Sequence, residues 1–433
     1  MNNRAKIWAK ILAQWNKKPS NSGVVIMPHA RRDVSGGIRS HAPTKQRALP
    51  LGDPWLFGAA LILLLLGLVM VSSASTSIAE RQFGHPFYYL IRQAMFVIVG
   101  VIAALAVART RLVYWEKSGS MLLLVGMLLL ALVLLPGIAH PINGSQRWIP
   151  LGFINLQASE PVKLFVVIYV AGYLVRHGSE VRTSLLGFIK PMLLLALVAL
   201  LLLAEPDFGA TVVISATVMG MLFLGGARLW PFAVLLALVI SAGTALILSS
   251  PYRLERMTGF MNPWADPFDT GFQLTQALIA FGRGEWWGVG LGASVQKLFY
   301  LPEAHTDFLF AVLAEELGLL GSLAVIALFC LIVARAYMIG RVAERGGNFF
   351  AAYLAYGLGL WIGLQALINI GVNMGMLPTK GLTLPLMSYG GSSIVVMCVA
   401  IALLLRIAHE TRFSSAEVRM SATGLHVAPL VRS

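Results

Sequence analysis

The sequence predicts an all-α integral membrane protein with ten transmembrane helices. Three observations carry that expectation. Of 433 residues, 58% are hydrophobic and only 12% charged, against roughly 25% charged in a soluble domain. Ten apolar runs approach the roughly 20 residues that a span needs: about 54–74, 88–108, 119–136, 159–176, 187–204, 208–224, 229–249, 307–338, 349–376 and 383–408. The basic residues are also distributed unevenly among the joints between these runs, the pattern of the positive-inside rule.

Residues 1–52 form a basic tail with ten Lys/Arg against one acid, Asp33. It is expected to be cytoplasmic and disordered, apart from an amphipathic stretch at Ile7–Leu12 that can lie on a membrane surface. No cleavable signal peptide is expected, because the first apolar run begins only near Pro54 and is long enough to span. Residues 53–410 make the membrane domain and 411–433 a second cytoplasmic tail. An even number of spans puts both termini on one side. With the tails inside, 24 of the 33 Lys/Arg fall in cytoplasmic segments and their flanks. The net charge of +14 is therefore spread over joints rather than along one face, which argues against nucleic-acid binding. Cys330 and Cys398 lie inside apolar runs and read as small hydrophobes; neither a disulfide framework nor a metal motif is present.

One stretch breaks the apolar rhythm. Residues 251–307 join the seventh and eighth spans and hold six of the nineteen acids: Glu255, Asp266, Asp269, Glu285, Glu303 and Asp307. The topology makes this a large extracytoplasmic loop. Its tryptophans, Trp264, Trp286 and Trp287, suit a membrane interface where the ring is half buried and the N–H is wet. A loop of this length is usually functional or disordered, and its aromatic content argues against disorder. Gln273–Phe281 reads as a short amphipathic helix, followed by glycine turns at Gly282, Gly284, Gly288, Gly290 and Gly292.

Charged groups inside or at the ends of spans are expensive and are functional candidates. Glu160 and Lys163 stand at i, i+3 on one helix face and can pair; the alternative to a purely structural pair is that Lys163 faces an anionic group. Glu205 and Asp207 stand at a tight outer turn, where Asp207 can simply cap the next helix or, with Glu205, line a polar cavity. Asp307 stands where the loop meets the eighth span. It can serve as a helix-end anion or as a general base whose proton affinity is tuned by burial. His305 is the second choice for a base. Glu315 and Glu316, two turns deeper, point to different faces, so at most one should face a lumen while the other pairs with a basic group or backbone donors. Lys380, Ser388 and Gly390 lie in a glycine-rich entry to the tenth span, where small residues favour close packing and exposed N–H groups can hold phosphate. Arg147, beside Trp148, is either an interfacial anchor or a phosphate contact. Cations and carboxylates gathered at one membrane level point to a lipid-linked, phosphate-bearing substrate. No Walker motif, dinucleotide fingerprint or nucleophile elbow is present, and no internal repeat supports an inverted-repeat transporter.

Six motifs, NGSQRWI (143–149), SEPVKL (159–164), EPDFG (205–209), the run 262–308 ending in LPEAHTDF, EELG (315–318) and GLTLPLMSYGGSS (381–393), closely resemble the SEDS family (shape, elongation, division, sporulation), and its division branch more than its elongation branch. Phe299 stands where some relatives carry an acid, and no role is carried onto it. The resemblance covers about 50–410. It implies the SEDS-type fold in the inner membrane at the division septum, and peptidoglycan glycosyl transfer that polymerises lipid II with release of undecaprenyl diphosphate. It implies Asp307 as the essential carboxylate and a polar cavity that includes Glu160 and Lys163. It also implies a class B penicillin-binding protein and other divisome proteins as partners. A divalent cation can assist through the diphosphate, but no residue pattern fixes one. Two rival functions stay open at the level of sequence: a lipid II flippase and a non-catalytic divisome scaffold.

Overall fold

A computed structural model describes residues 52–136, 140–142, 145–150, 155–249, 262–267, 271–298, 300–378 and 381–422. Ten helices occupy the ten predicted apolar runs: α1 (Pro54–Phe83), α2 (Tyr88–Arg109), α3 (Leu112–Val133), α4 (Ser159–Thr183), α5 (Leu185–Ala204), α6 (Phe208–Leu224), α7 (Leu229–Leu248), α9 (Leu309–Arg345), α10 (Phe349–Asn373) and α11 (Gly391–Ala422). An eleventh, α8 (Phe272–Gly284), stands where the loop was expected to turn helical. Among these, α1–α5, α9, α10 and the Gly391–Arg412 part of α11 are long and apolar enough to cross a membrane. The apolar α6 is shorter, at 17 residues, and α7 runs for 20. All but the last residue of the tail expected at 1–52, and residues 251–261 of the loop, lie outside the described residues.

One departure from an all-helical fold is a three-stranded antiparallel sheet between α3 and α4: β1 (His140–Ile142), β2 (Ser145–Pro150) and β3 (Asn155–Gln157). Trp148 pairs with Gln157 across β2 and β3. The segment is too short and too polar to span, so its backbone groups pair with one another instead.

The helices pack as neighbours α2 with α11, α9 with α10, α3 with α4, and both α1 and α8 against α9. Several charges within this bundle are paired. Asp53 caps α1 by accepting the Leu56 N–H at 3.1 Å and also binds the Arg335 guanidinium of α9. Arg406 binds Glu410 one turn on. A buried charge without its partner costs several kcal/mol, which is why such groups occur here in couples.

The longest helix is broken. Gly318 has φ 66° and ψ −165°, so α9 is two helical segments joined at a non-helical residue. The break frees backbone groups on both sides, and the segment after α8 satisfies them. Val289 and Gly290 donate to the carbonyls of Glu315 and Glu316, at 3.0 and 3.1 Å, while Leu319 and Leu320 donate to the carbonyls of Glu285 and Trp286. Contact is too close for any side chain at the break: a Cβ on Gly318 would lie 2.4 Å from the Gly288 nitrogen. The loop is thus stitched into the bundle rather than laid on it.

Candidate active site

Three connecting segments meet at the end of the bundle where α9 begins: residues 300–308, the turn 205–207 between α5 and α6, and residues 381–390 before α11. Asparagines on α10 hold two of them. Asn369 and Asn373 both donate to the Asp307 carbonyl at 2.9 Å. Asn369 also donates to the Leu382 carbonyl at 2.6 Å, and Asn373 accepts the Ala311 N–H at 3.0 Å. Gln365, one turn earlier, donates to the Thr383 carbonyl. These residues recur every fourth position, so they form a polar stripe on one face of an apolar helix. That stripe was available in the sequence and was not read.

Pinned through its main chain, Asp307 projects a half-buried carboxylate beside Gly381. A Cβ on that glycine would sit 3.3 Å from Asp307 Oδ2, so the glycine keeps the carboxylate's flank open. Burial pushes the Asp307 carboxyl up to about 7. The Glu303 carboxylate adds to the rise, Arg147 opposes it and Asp207 adds to it again. Glu303 is the acid that sequence reasoning passed over. It adopts a left-handed turn, φ 55°, and its carboxylate accepts the Thr306 hydroxyl at 2.7 Å.

The 205–207 turn is held from the sheet side. Arg147 of β2 donates to the main-chain carbonyls of Glu205, at 3.1 Å, and Pro206. Asp207 caps α6 through the Ala210 N–H and accepts the Ser159 hydroxyl at 2.9 Å, so the capping reading describes its contacts. The Glu205 carboxyl is buried, and neither oxygen meets a hydrogen-bond partner among the described residues. Burial pushes it up to about 8, with Asp207 adding and Arg147 opposing. It is therefore mostly neutral at pH 7, as an unpaired buried acid must be.

His305 is buried with Nδ1 unpartnered among the described residues. Its ring packs 4.5 Å from Tyr89 and 5.5 Å from Tyr389. Burial lowers its proton affinity, with Glu303 acting against the fall. Its carbonyl accepts the Tyr389 N–H at 3.0 Å, which fastens the 300–308 segment to the entry of α11. Ser388 is buried and closes that entry by accepting the Leu384 N–H at 2.9 Å. Gly390 donates to Gln93 of α2. Both shape the turn. Lys380 lies outside the described residues.

Glu160 and Lys163 form the predicted pair, 2.9 Å apart and almost wholly buried. Lys163 also donates to Gln365 at 2.8 Å and lies 5.6 Å from the Trp361 ring centroid. Through Gln365 this pair is tied to the 381–383 segment. Glu315 and Glu316 both take the paired arrangement expected of at least one of them, and neither is left to face a lumen. Glu315 accepts Arg283, the Ser294 hydroxyl and two loop N–H groups; Glu316 accepts Lys297 and Ser73. Each clamps the loop. Among the described residues, no group of three or more His, Cys, Asp or Glu side chains is arranged to hold a metal ion.

The fold and the site define a polytopic membrane protein with a tuned carboxylate where a stitched loop enters the bundle. The cell cycle protein family that takes in FtsW, RodA and SpoVE matches residues 54–413, and the chain belongs to that family. Among its relatives, the probable peptidoglycan glycosyltransferase FtsW of Nitrosococcus halophilus (strain Nc4) is 63% identical over 364 residues, covering 84% of this chain and 94% of the relative. The protein of that name from Legionella pneumophila is 55% identical over 373 residues, covering 86% and 95%. A chain from a solved peptidoglycan synthase complex, described for its structural coordination of polymerization and crosslinking, superposes with a TM-score of 0.69 at 28% identity, covering 83% of this chain and 98% of that one. The rod shape determining protein RodA of Thermus thermophilus gives 0.59 at 26%, covering 83% and 97%.

Proposed function

We propose that this chain is a peptidoglycan glycosyltransferase that joins lipid II units into glycan strands during septal wall synthesis. Family membership and the relatives' names support the reaction class. The observation that carries the mechanism is Asp307: a carboxyl with a near-neutral proton affinity, fixed by two asparagines and open on one flank. In this reading Asp307 accepts the proton from the acceptor sugar's 4-hydroxyl. That oxygen forms the new bond to the donor's anomeric carbon as the bond to undecaprenyl diphosphate breaks, with inversion. A base of this affinity is half ionised near neutral pH, where general base catalysis works best.

Arg147 is suited to steady the departing diphosphate electrostatically, together with Lys380. The neutral Glu205 avoids placing a further negative charge beside that anion. Glu160 and Lys163 support the 381–383 flank through Gln365. His305, with its aromatic neighbours, offers a surface for a sugar face. The chain would sit in the inner membrane with ten spans and both termini cytoplasmic, which places Asp307 on the outer side where lipid-linked sugars are polymerised. The likeness to a chain from a synthase complex, and the family resemblance, support a class B penicillin-binding protein as partner.

The test is reconstitution of the full chain with that transpeptidase in vesicles loaded with lipid II. Glycan product from lipid II in the outer leaflet is expected. Transfer of lipid II between leaflets without polymer would instead establish a flippase.

A further inference from the structure

The turn between α1 and α2 gathers aromatic side chains within the run Phe83-Gly84-His85-Pro86-Phe87-Tyr88-Tyr89. Gly84 ends α1 in the left-handed region, φ 66°, with its N–H on the Glu80 carbonyl at 2.9 Å, a cap that glycine adopts without strain. His85 organises the reversal. Its ring Nδ1 accepts the Phe87 N–H at 3.3 Å and its carbonyl accepts the Tyr88 N–H at 3.2 Å. These local bonds bring the last ring of α1 onto the first ring of α2. Phe83 and Tyr88 are stacked, with centroids 3.9 Å apart and planes within 15°.

From this stack the rings continue to the segment that carries Asp307. Tyr88 meets Tyr89 at 5.4 Å. Tyr89 meets His305 at 4.5 Å and Tyr389 at 5.0 Å, and His305 stands two residues before Asp307. Exposure falls along this row: Phe83 and Phe87 are 49% and 50% exposed, His305 only 8%. Polar groups border the rings. The Tyr89 hydroxyl donates to the exposed Gln82 at 2.9 Å. Arg92 donates to the Tyr88 hydroxyl at 3.0 Å and lies over that ring, 5.7 Å from its centroid.

Aromatic side chains at the outer end of a spanning helix ordinarily anchor it at the interface. An anchor acts alone and needs only to reach the headgroup level. A row of rings in mutual contact, open at one end and closing on Asp307 at the other, fits a different occupant. The face of an aromatic ring is negative, and a pyranose presents to it a face of C–H groups, which are weakly positive. The hydroxyl and amide groups at the sugar's edge suit Gln82 and the tyrosine hydroxyls. Rings have few rotamers, so they hold such a face at little entropic cost. Glycosyl transfer at Asp307 produces a chain of amino sugars that must lead away from that point. We propose that the α1–α2 turn binds the growing glycan strand, with Phe83 and Tyr88 stacking on a sugar beyond the two that react. The inference rests on the glycosyltransferase reading of Asp307. Its consequence is that the strand is retained between successive additions, which sets strand length.

Two variants separate stacking from anchoring. F83L/Y88L keeps apolar side chains at the interface but removes both ring faces, and F83Y/Y88F keeps the rings. The full chain and its transpeptidase partner are placed in vesicles with lipid II, and strand length is read by gel electrophoresis. Wild type and F83Y/Y88F are expected to make strands of equal length. F83L/Y88L should consume lipid II at the wild-type rate over the first turnovers but make strands shorter by about fivefold. Loss of two aromatic contacts weakens binding by about that factor, and such changes fall mainly on dissociation. Binding is also read apart from turnover, by saturation-transfer NMR of the full chain in detergent with a β-1,4-linked N-acetylglucosamine tetrasaccharide. Its affinity should fall by about the same factor in F83L/Y88L. Strands of wild-type length from F83L/Y88L, or a tetrasaccharide held equally by both proteins or by neither, would overturn the proposal and leave the turn a membrane anchor. A wild type that binds the tetrasaccharide yet makes no polymer would keep the saccharide site and sink the glycosyltransferase reading instead.

Discussion

At the scale of single residues the account turns on the proton affinity of Asp307. Burial and the Glu303 carboxylate raise it to about 7, so the group is protonated and inactive as a base below that pH and ionised above it. Initial rates of lipid II polymerisation should therefore rise with pH through about 7. Glu303→Gln removes the second contributor to the rise, and the acid limb of the profile should move to lower pH; a limb that stays in place would show that Glu303 does not act on the base. Asp307 was legible in the sequence because an acid at a loop–helix junction is conspicuous. Glu303 was not singled out, because its role depends on a left-handed backbone at a residue other than glycine, which no local pattern marks. The Glu205 carboxyl was noticed as an acid in a turn, but its isolation from partners arises only from the packing around it.

At the scale of elements, two devices hold the site. The first is the break in α9 at Gly318, where strand-like exchange of hydrogen bonds with residues 285–290 fastens the loop. Gly318→Ala requires a left-handed conformation and drives a methyl into the Gly288 backbone. Thermal unfolding in detergent should show a loss of at least about 2–3 kcal/mol, and a variant as stable as wild type would mean the break is not strained. The second is the buried couple Glu160–Lys163 with Gln365. Glu160→Ala leaves a buried ammonium, expected to cost about 3–5 kcal/mol, whereas replacing both members by apolar residues should cost less. A double-mutant cycle on unfolding temperature measures the difference. The sequence reading found α8 and the glycine turns at Gly288, Gly290 and Gly292, because amphipathic spacing and Gly are local signals, whereas Gly282 and Gly284, expected as turns, are taken up in the last turn of α8. It missed the break in α9, because one glycine in an apolar run looks like a packing contact until the loop that plugs it is seen.

At the scale of the molecule, the ends of the spanning helices were not readable: α1 continues to Phe83 and α9 to Arg345, well beyond the apolar runs. The positions of the runs were readable, since membrane helices are set by length and hydropathy. The small sheet at 140–157 was not, because its strands are three to six residues long and make sense only as a brace for the 205–207 turn. The meeting of three loops at Asp307 is a long-range matter that spacing along the chain does not encode. What the whole arrangement predicts is glycan synthesis that depends on one carboxylate held by that convergence. The most direct measurement is polymerisation of purified lipid II by the full chain with its transpeptidase partner, comparing wild type with Asp307→Asn at equal folded amounts. Wild type should produce glycan strands, while the Asn variant, which keeps the shape and the main-chain bonds to Asn369 and Asn373 but cannot take the proton, should produce none. Polymerisation by the Asn variant at the wild-type rate would contradict the account.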